Sequence, residues 1–274
     1  MEIKEINSSS YVSKSNLPDA DYVINPYVGC PHKCIYCYAE FMKRFSGHSR
    51  EEWGDFLDVK RCSKLIDADS FCETDTILFG SVTDAYNSCE KKYRITRSIL
   101  EQLIPCKARV EILTKSDLVL RDIDILKKMS NVYVGVSMNT MDDTFRKEIE
   151  PFASSIERRI NALKILHDEG ISTYLFMSPI FPGLSDYKEI IRNTYKYVDY
   201  TCFENLNLRG GYLPRVMDYI KEKHTDYCDL FKSIYWNKDI TYWENLKREI
   251  EEYCKQLDIE HRFYFYHEKI KKNN

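Results

Sequence analysis

The chain has 274 residues, 43% hydrophobic and 30% charged, with a formal net charge of -3 and a pI near 6.1. That balance describes a folded globular protein and excludes a disordered or collagen-like one, and without a positive excess the chain carries no overall basic field for nucleic acid. No apolar run is long enough to span a bilayer and residues 1–15 lack an apolar stretch, so a cytoplasmic location without membrane contact is expected.

Residues 1–19 are polar and read as a leader or early cap. Residues 21–28 give a short strand that enters Gly29 and a loop, Cys30-Pro-His-Lys-Cys34-Ile-Tyr-Cys37, followed by helical composition over 38–45. From 47 to 75 the pattern is irregular, with 56–59 as a short strand. Residues 76–79 form a buried-strand signature followed by an amphipathic helix over 93–103. The unit repeats as a strand at 109–114 with a helix at 118–129, and a strand at 132–138 with helical patterns through 148 and over 154–169. Gly170 closes the last of these as a C′ residue. A strand at 171–177, a helix capped by Ser185 and running to about 198, and a sixth strand at 200–208 complete the series.

Six strands alternating with helices predict an α/β fold with a parallel sheet, curled into a partial (β/α)6 TIM-type barrel whose strand C-termini share one rim. Residues 1–211 are assigned to that barrel, and 212–274 to a mainly helical extension with its clearest helix at 242–257 and a terminal aromatic strand at 261–266.

The cysteine loop is the strongest chemical signal. Three thiolates on one tight loop can each bind an iron, and no fourth cysteine lies nearby, so a four-iron cluster there keeps one iron open to a ligand. Two alternatives stand beside this: a structural zinc completed by His32 or a distant residue, or three packed, inert thiols. No second tight Cys or His pair follows, and the other seven cysteines, at 62, 72, 89, 106, 202, 228 and 254, are scattered.

The spacing Cys-x-x-x-Cys-x-x-Cys within Asn25-Pro-Tyr-Val-Gly-Cys30 and Cys37-Tyr-Ala39 resembles the radical S-adenosylmethionine (SAM) enzymes, in particular their spore photoproduct lyase-like branch. The resemblance continues at Ser81-Val-Thr-Asp84 with Tyr86, Ile112-Leu-Thr-Lys-Ser116, Val134-Gly-Val-Ser-Met-Asn139, Glu150-Pro151, Arg158-Arg159 and Ser178-Pro-Ile-Phe-Pro-Gly183, covering roughly 22–185. It implies a 4Fe-4S cluster whose open iron chelates SAM, reductive cleavage of SAM to a 5′-deoxyadenosyl radical, and hydrogen abstraction from a substrate. An external one-electron reductant of flavodoxin or ferredoxin type is implied as well.

By the same resemblance Cys30, Cys34 and Cys37 are the metal ligands and Tyr36 lies against adenine. By residue type and place at the strand ends, Thr83 and Asp84 are expected to accept from the SAM amino group, Lys115 to meet its carboxylate, and Ser137 and Asn139, on one face of a strand by period two, to reach carboxylate and ribose; a turn satisfying its own backbone, a solvated lysine and a plain polar strand end are the alternatives. Where spore photoproduct lyase carries a hydrogen-donating cysteine, the alignment places Ser81, whose O–H is too strong for that task; Cys202 is the substitute candidate. The substrate is nucleic acid or peptide. Arg209, Arg215, Lys221, Lys223 and Lys269-Ile-Lys-Lys272, with the tyrosine-rich tail, suit the first, and the mild acidity suits the second. A non-enzymatic zinc or iron–sulfur module is the competing class.

Overall fold

The structure, a computed structural model, describes residues 1–266. Its strands are β1 (Glu2–Asn7), β2 (Val12–Lys14), β3 (Tyr22–Ile24), β4 (Tyr27–Val28), β5 (Phe56–Arg61), β6 (Thr76–Phe79), β7 (Arg109–Thr114), β8 (Val132–Ser137), β9 (Ser172–Ile180), β10 (Tyr200–Asn205) and β11 (His261–Phe263). The α-helices are α1 (Glu90–Tyr93), α2 (Ile95–Gln102), α3 (Ile123–Leu126), α4 (Asp143–Ile149), α5 (Ile156–Asp168), α6 (Tyr187–Thr194), α7 (Tyr212–Lys223), α8 (Cys228–Tyr235) and α9 (Thr241–Gln256).

The main sheet runs β11-β10-β9-β8-β7-β6-β3-β2, parallel from β11 to β3, with β2 antiparallel at the edge. The six strands expected from the sequence occupy consecutive places in it, which is the α/β partial barrel. Strands covered on both faces need apolar residues on the helix side and can carry chemistry only on the lumen side. In β7 the outward Val110 and Ile112 are fully buried, while Glu111, Leu113 and the following Lys115 face the lumen. Gly135 in β8 makes room for its cross-strand partner on β9, since a Cβ there would stand 2.2 Å from the Tyr174 ring.

Several expectations change. Residues 1–19, read as a leader or early cap, contain strands: β1 pairs in parallel with β5, from Glu2 beside Phe56 to Asn7 beside Arg61, and β5 pairs with β4 to give a second small sheet. β1 shows no apolar alternation because it is mostly exposed and held by its ladder and an Arg61 fork onto Glu5, both bonds 3.0 Å. Residues 38–45 wind as a 3-10 helix. The helix expected over 93–103 is broken at Arg94, which is left-handed at φ 52°, and 118–129 divides into a 3-10 turn and α3. Asp186, not Ser185, caps α6 by accepting from Glu189 N–H; Ser185 instead donates to the Asn139 carbonyl at 2.6 Å.

Beyond residue 211 the chain returns to the barrel. β11 joins β10 in the main sheet. Val216 and Ile220 of α7 and Phe231 of α8 are fully buried in the same cluster as Cys34 and Tyr36 of the cysteine loop.

Candidate active site

The cysteine loop begins where β4 ends, and Gly29 lets it turn. Its φ is +90°, and a Cβ would lie 2.5 Å from the Phe56 carbonyl oxygen, so glycine alone fits. Lys33, left-handed at φ 55°, reverses the chain between the first two cysteines. The loop is then fastened from three directions: Thr83 Oγ1 donates to the Gly29 carbonyl at 2.6 Å, Ile35 N–H to the Ile149 carbonyl at 3.0 Å, and Arg215 Nε to the Ile35 carbonyl at 2.8 Å. Cys30 packs with Ala39, Trp53 and Phe56 on one side, while Cys34 and Tyr36 pack with Phe145, Ile149 and Phe181 on the other.

Cys30, Cys34 and Cys37 line a cavity of about 270 Å³ in the barrel lumen. Thr83, Asp84, Lys115, Ser137 and Cys202 line the same cavity, whereas Tyr36 and Asn139 are not part of its lining. Burial pushes the Cys30 thiol up to about 12 and raises Cys34 and Cys37 as well. The protein therefore leaves these groups as neutral thiols, and a metal cation is what would draw them into thiolates.

Asp84 is largely committed to the fold. Its Oδ1 accepts from Tyr86 N–H at 2.8 Å and Thr114 Oγ1 at 2.7 Å, and its Oδ2 from Lys115 N–H at 2.8 Å, with His32 Nδ1 3.4 Å away. Burial keeps His32 neutral by lowering its pKa. The Lys115 ammonium has no ion-pair partner among the described residues and stands 5.9 Å from the Tyr36 ring centroid. Burial is the largest influence and works against its charge, but Glu150, Cys34 and Asp84 together outweigh it and raise the pKa, so the ammonium persists.

Ser137 Oγ donates to the Ser178 carbonyl at 3.1 Å. Asn139 Nδ2 donates to Tyr36 Oη at 3.2 Å and to Glu150 Oε1 at 3.1 Å, while its Oδ1 is buried without a partner. The Tyr36 hydroxyl donates to the same Glu150 oxygen, and its ring meets Phe181 edge-on at 5.5 Å. Glu150 and Arg159 form an ion pair with both side chains fully buried. Burial alone would push the Glu150 carboxyl up, but Arg159 and Lys115 hold it below the usual carboxylate range.

Sequence reasoning quoted Glu150 and Arg159 without assigning them a task. The signal was present: Ile156, Arg159, Leu163 and Leu166 recur at helical spacing, which places Arg159 on the buried stripe of α5 and leaves Arg158 outside, paired with Asp117. Also missed were the deeper lumen residues. Tyr174 and Tyr200 stack at 5.0 Å and 5° beneath the cavity, Arg109 is held by Glu111 and lies 3.5 Å over the Tyr133 ring, and Ser178 Oγ donates to Glu204.

Cys202 is buried within β10, and burial pushes its thiol up to about 12. Ser81 lines the cavity and accepts from Asn25 Nδ2 at 2.9 Å. The basic residues named for phosphate contact are mostly neutralised: Arg215 pairs with Glu40 at 2.7 Å, Lys221 with Asp218 and Lys223 with Glu222 at 3.5 Å, while Arg209 is exposed. Residues 269–272 lie outside the described residues.

Three features suit a cluster with one open metal position and an amino-acid chelate upon it. Three thiols share one loop, an ammonium without a carboxylate faces the same cavity, and a buried acceptor, Asn139 Oδ1, has no partner.

Comparison with known proteins converges on the same region. The family model described as the radical SAM superfamily matches residues 24–196. An uncharacterised protein of Methanocaldococcus jannaschii is 41% identical over 211 residues, 77% of this chain and 80% of that one. A radical SAM Nalpha-GlyT isomerase of Pseudomonas phage M6 is 27% identical over 112 residues, 41% of this chain and 23% of the phage protein. Spore photoproduct lyase, solved with AdoMet and dinucleoside spore photoproduct bound, shares the fold at a TM-score of 0.55 and 17% identity, over 77% of this chain and 64% of that chain. SuiB of Streptococcus suis gives a TM-score of 0.56 at 16% identity, over 91% of this chain and 50% of that chain. No helix among the described residues is long and apolar enough to cross a membrane. A non-enzymatic zinc module is thereby displaced: this chain is an enzyme and belongs to the radical SAM superfamily.

Proposed function

We propose that the enzyme holds a 4Fe-4S cluster on Cys30, Cys34 and Cys37, binds SAM against it, and takes a hydrogen atom from a peptide segment seated in the barrel lumen. The observation that carries this reading is the convergence of the three thiols and the Lys115 ammonium on one buried cavity. When bound and reduced by an external carrier of flavodoxin or ferredoxin type, the cluster supplies the electron that cleaves SAM to a 5′-deoxyadenosyl radical.

The chain's own groups do the rest. Lys115 takes the carboxylate of SAM, and Ser137 and Asn139 offer acceptor oxygens to its ribose hydroxyls. Thr83 and Asp84 keep the loop and strand ends in register and use their remaining lone pairs toward the amino group. Tyr36 forms the wall behind the adenine. Tyr174, Phe176, Tyr200 and Tyr264 line the lumen with rings that keep water from the reacting carbon. Cys202 faces the same cavity as a neutral S–H, the form able to return a hydrogen atom, a task that Ser81 cannot perform.

The lumen lining favours peptide over nucleic acid. Among the described residues Lys115 is the lysine or arginine lining it, against the carboxylates of Asp19, Asp84 and Glu204, with Glu111 paired to Arg109, so a phosphodiester would meet repulsion there. The test is anaerobic incubation of reconstituted protein with SAM and dithionite. 5′-Deoxyadenosine is expected, and its absence from protein carrying a full cluster would refute the reading. DNA binding that weakens steeply with salt would restore nucleic acid as the substrate.

A further inference from the structure

We infer that Glu150 is a positioning residue: its carboxylate sets the orientation of the Asn139 amide, turning Oδ1 away from the fold's own donors so that it receives an N–H or O–H of SAM. This rests on the proposed cofactor. The inference follows from counting donors and acceptors around one carboxylate. Glu150 Oε2 accepts from Arg159 Nη2, while Oε1 accepts from the Tyr36 hydroxyl and from Asn139 Nδ2. Arg159 is in turn anchored on backbone, donating at 2.9 Å to the Ser154 and Ser137 carbonyls, so the ion pair cannot rotate.

The Tyr36 oxygen, having donated its proton to Glu150, accepts from the same Asn139 nitrogen at 3.2 Å. Both groups facing that edge of the amide are acceptors, so the NH2 must point to them and the carbonyl oxygen must point the other way. There it is buried without a partner, a condition that costs free energy unless a ligand supplies a donor. A charged carboxylate thus specifies, from the side remote from the ligand, that the position offers an acceptor. Glutamine in its place would keep the shape and reverse the polarity. Its oxygen would stay with Arg159, its NH2 would face Asn139, and the amide would turn its own NH2 to the side where Oδ1 now stands without a partner.

The test measures SAM affinity by equilibrium dialysis, and iron content, on anaerobically reconstituted full-length protein carrying Glu150→Gln, Asn139→Leu, both, or Tyr36→Phe. Glu150→Gln and Asn139→Leu should each load iron as wild type does and weaken SAM binding by about tenfold or more. The double variant should be no weaker than Asn139→Leu alone, because both changes remove one acceptor. Tyr36→Phe leaves the Glu150 contact to Asn139 and should weaken SAM binding by no more than about threefold. Wild-type affinity in a folded Glu150→Gln or in Asn139→Leu, losses that multiply in the double variant, or a Tyr36→Phe loss equal to that of Asn139→Leu would each overturn the assignment. Should Glu150→Gln fail to fold, the Asn139→Leu and Tyr36→Phe results decide it. Wild-type protein that binds neither iron nor SAM would refute the proposed cofactor instead.

Discussion

Cys34 is buried on both sides, by the packed face of Phe145 and Ile149 and by the lumen, and offers its sulfur to the cavity. Cys34→Ala should abolish iron uptake and SAM cleavage together; a variant retaining wild-type iron and sulfide would remove the residue from the ligand set. Cys202 makes a different demand. Its neutral thiol lies outside the proposed ligand set, so Cys202→Ala should keep SAM cleavage and SAM affinity near wild type while the substrate radical goes unquenched and side products accumulate. An unchanged product distribution would exclude Cys202 as the hydrogen source. At this scale the cysteine loop was legible as a tight turn, because three closely spaced cysteines stand beside Gly29 and Pro31. The Glu150 network was not, because it joins residues 36, 139, 150 and 159, which only the fold brings together.

The elements that position the site show what periodicity can and cannot reveal. β6 to β10 were readable because parallel strands buried on both faces are near-continuous apolar runs. β1, mostly exposed, and the broken helices around Arg94 and residues 117–126 carry no such pattern. Gly135 gives a sharp test within β8. Gly135→Ala drives a Cβ to 2.2 Å from the Tyr174 ring, and overpacking of this kind should cost about 1–3 kcal/mol in a denaturant titration. An unchanged midpoint would mean that the ring has room to move. His48 bears on the segment between the 3-10 helix and β5. Its Nδ1 and Nε2 lie 3.0 Å from Glu51 and Asp58, and its ring stacks on Phe56 at 3.8 Å. Burial opposes its charge, but these two partners outweigh burial and raise its pKa above the ordinary value. A raised folded-state pKa contributes stability that is fully present below the unfolded value of about 6.5 and is lost as pH rises through the folded value. Melting temperature should therefore fall as pH rises above about 6.5 in wild type, and less so in His48→Gln. Equal slopes in the two proteins would assign the pH dependence elsewhere.

On the scale of the whole molecule, the two ends of the chain close the lumen. Asp19, Ala20 and Tyr264 line the cavity alongside residues from β6 to β10, and α7 and α8 cover the cysteine loop. A fragment of residues 1–211 would expose the fully buried faces that meet Val216, Ile220 and Phe231, and should be insoluble or lack a cooperative melt. A soluble fragment with a sharp transition would show that the barrel stands alone. The general architecture was legible in the sequence because strand and helix signals alternate. The terminal strand was legible from its aromatic residues, but its place beside β10 was not, because a three-residue strand after a long helix carries no pattern that names its neighbour. The central claim is that three cysteines leave one iron open to SAM. Electron–nuclear double resonance on the reduced, reconstituted protein with SAM carrying 15N in its amino group tests it most directly. A nitrogen coupling to the cluster is expected, and a full-cluster spectrum without any such coupling would contradict the open iron.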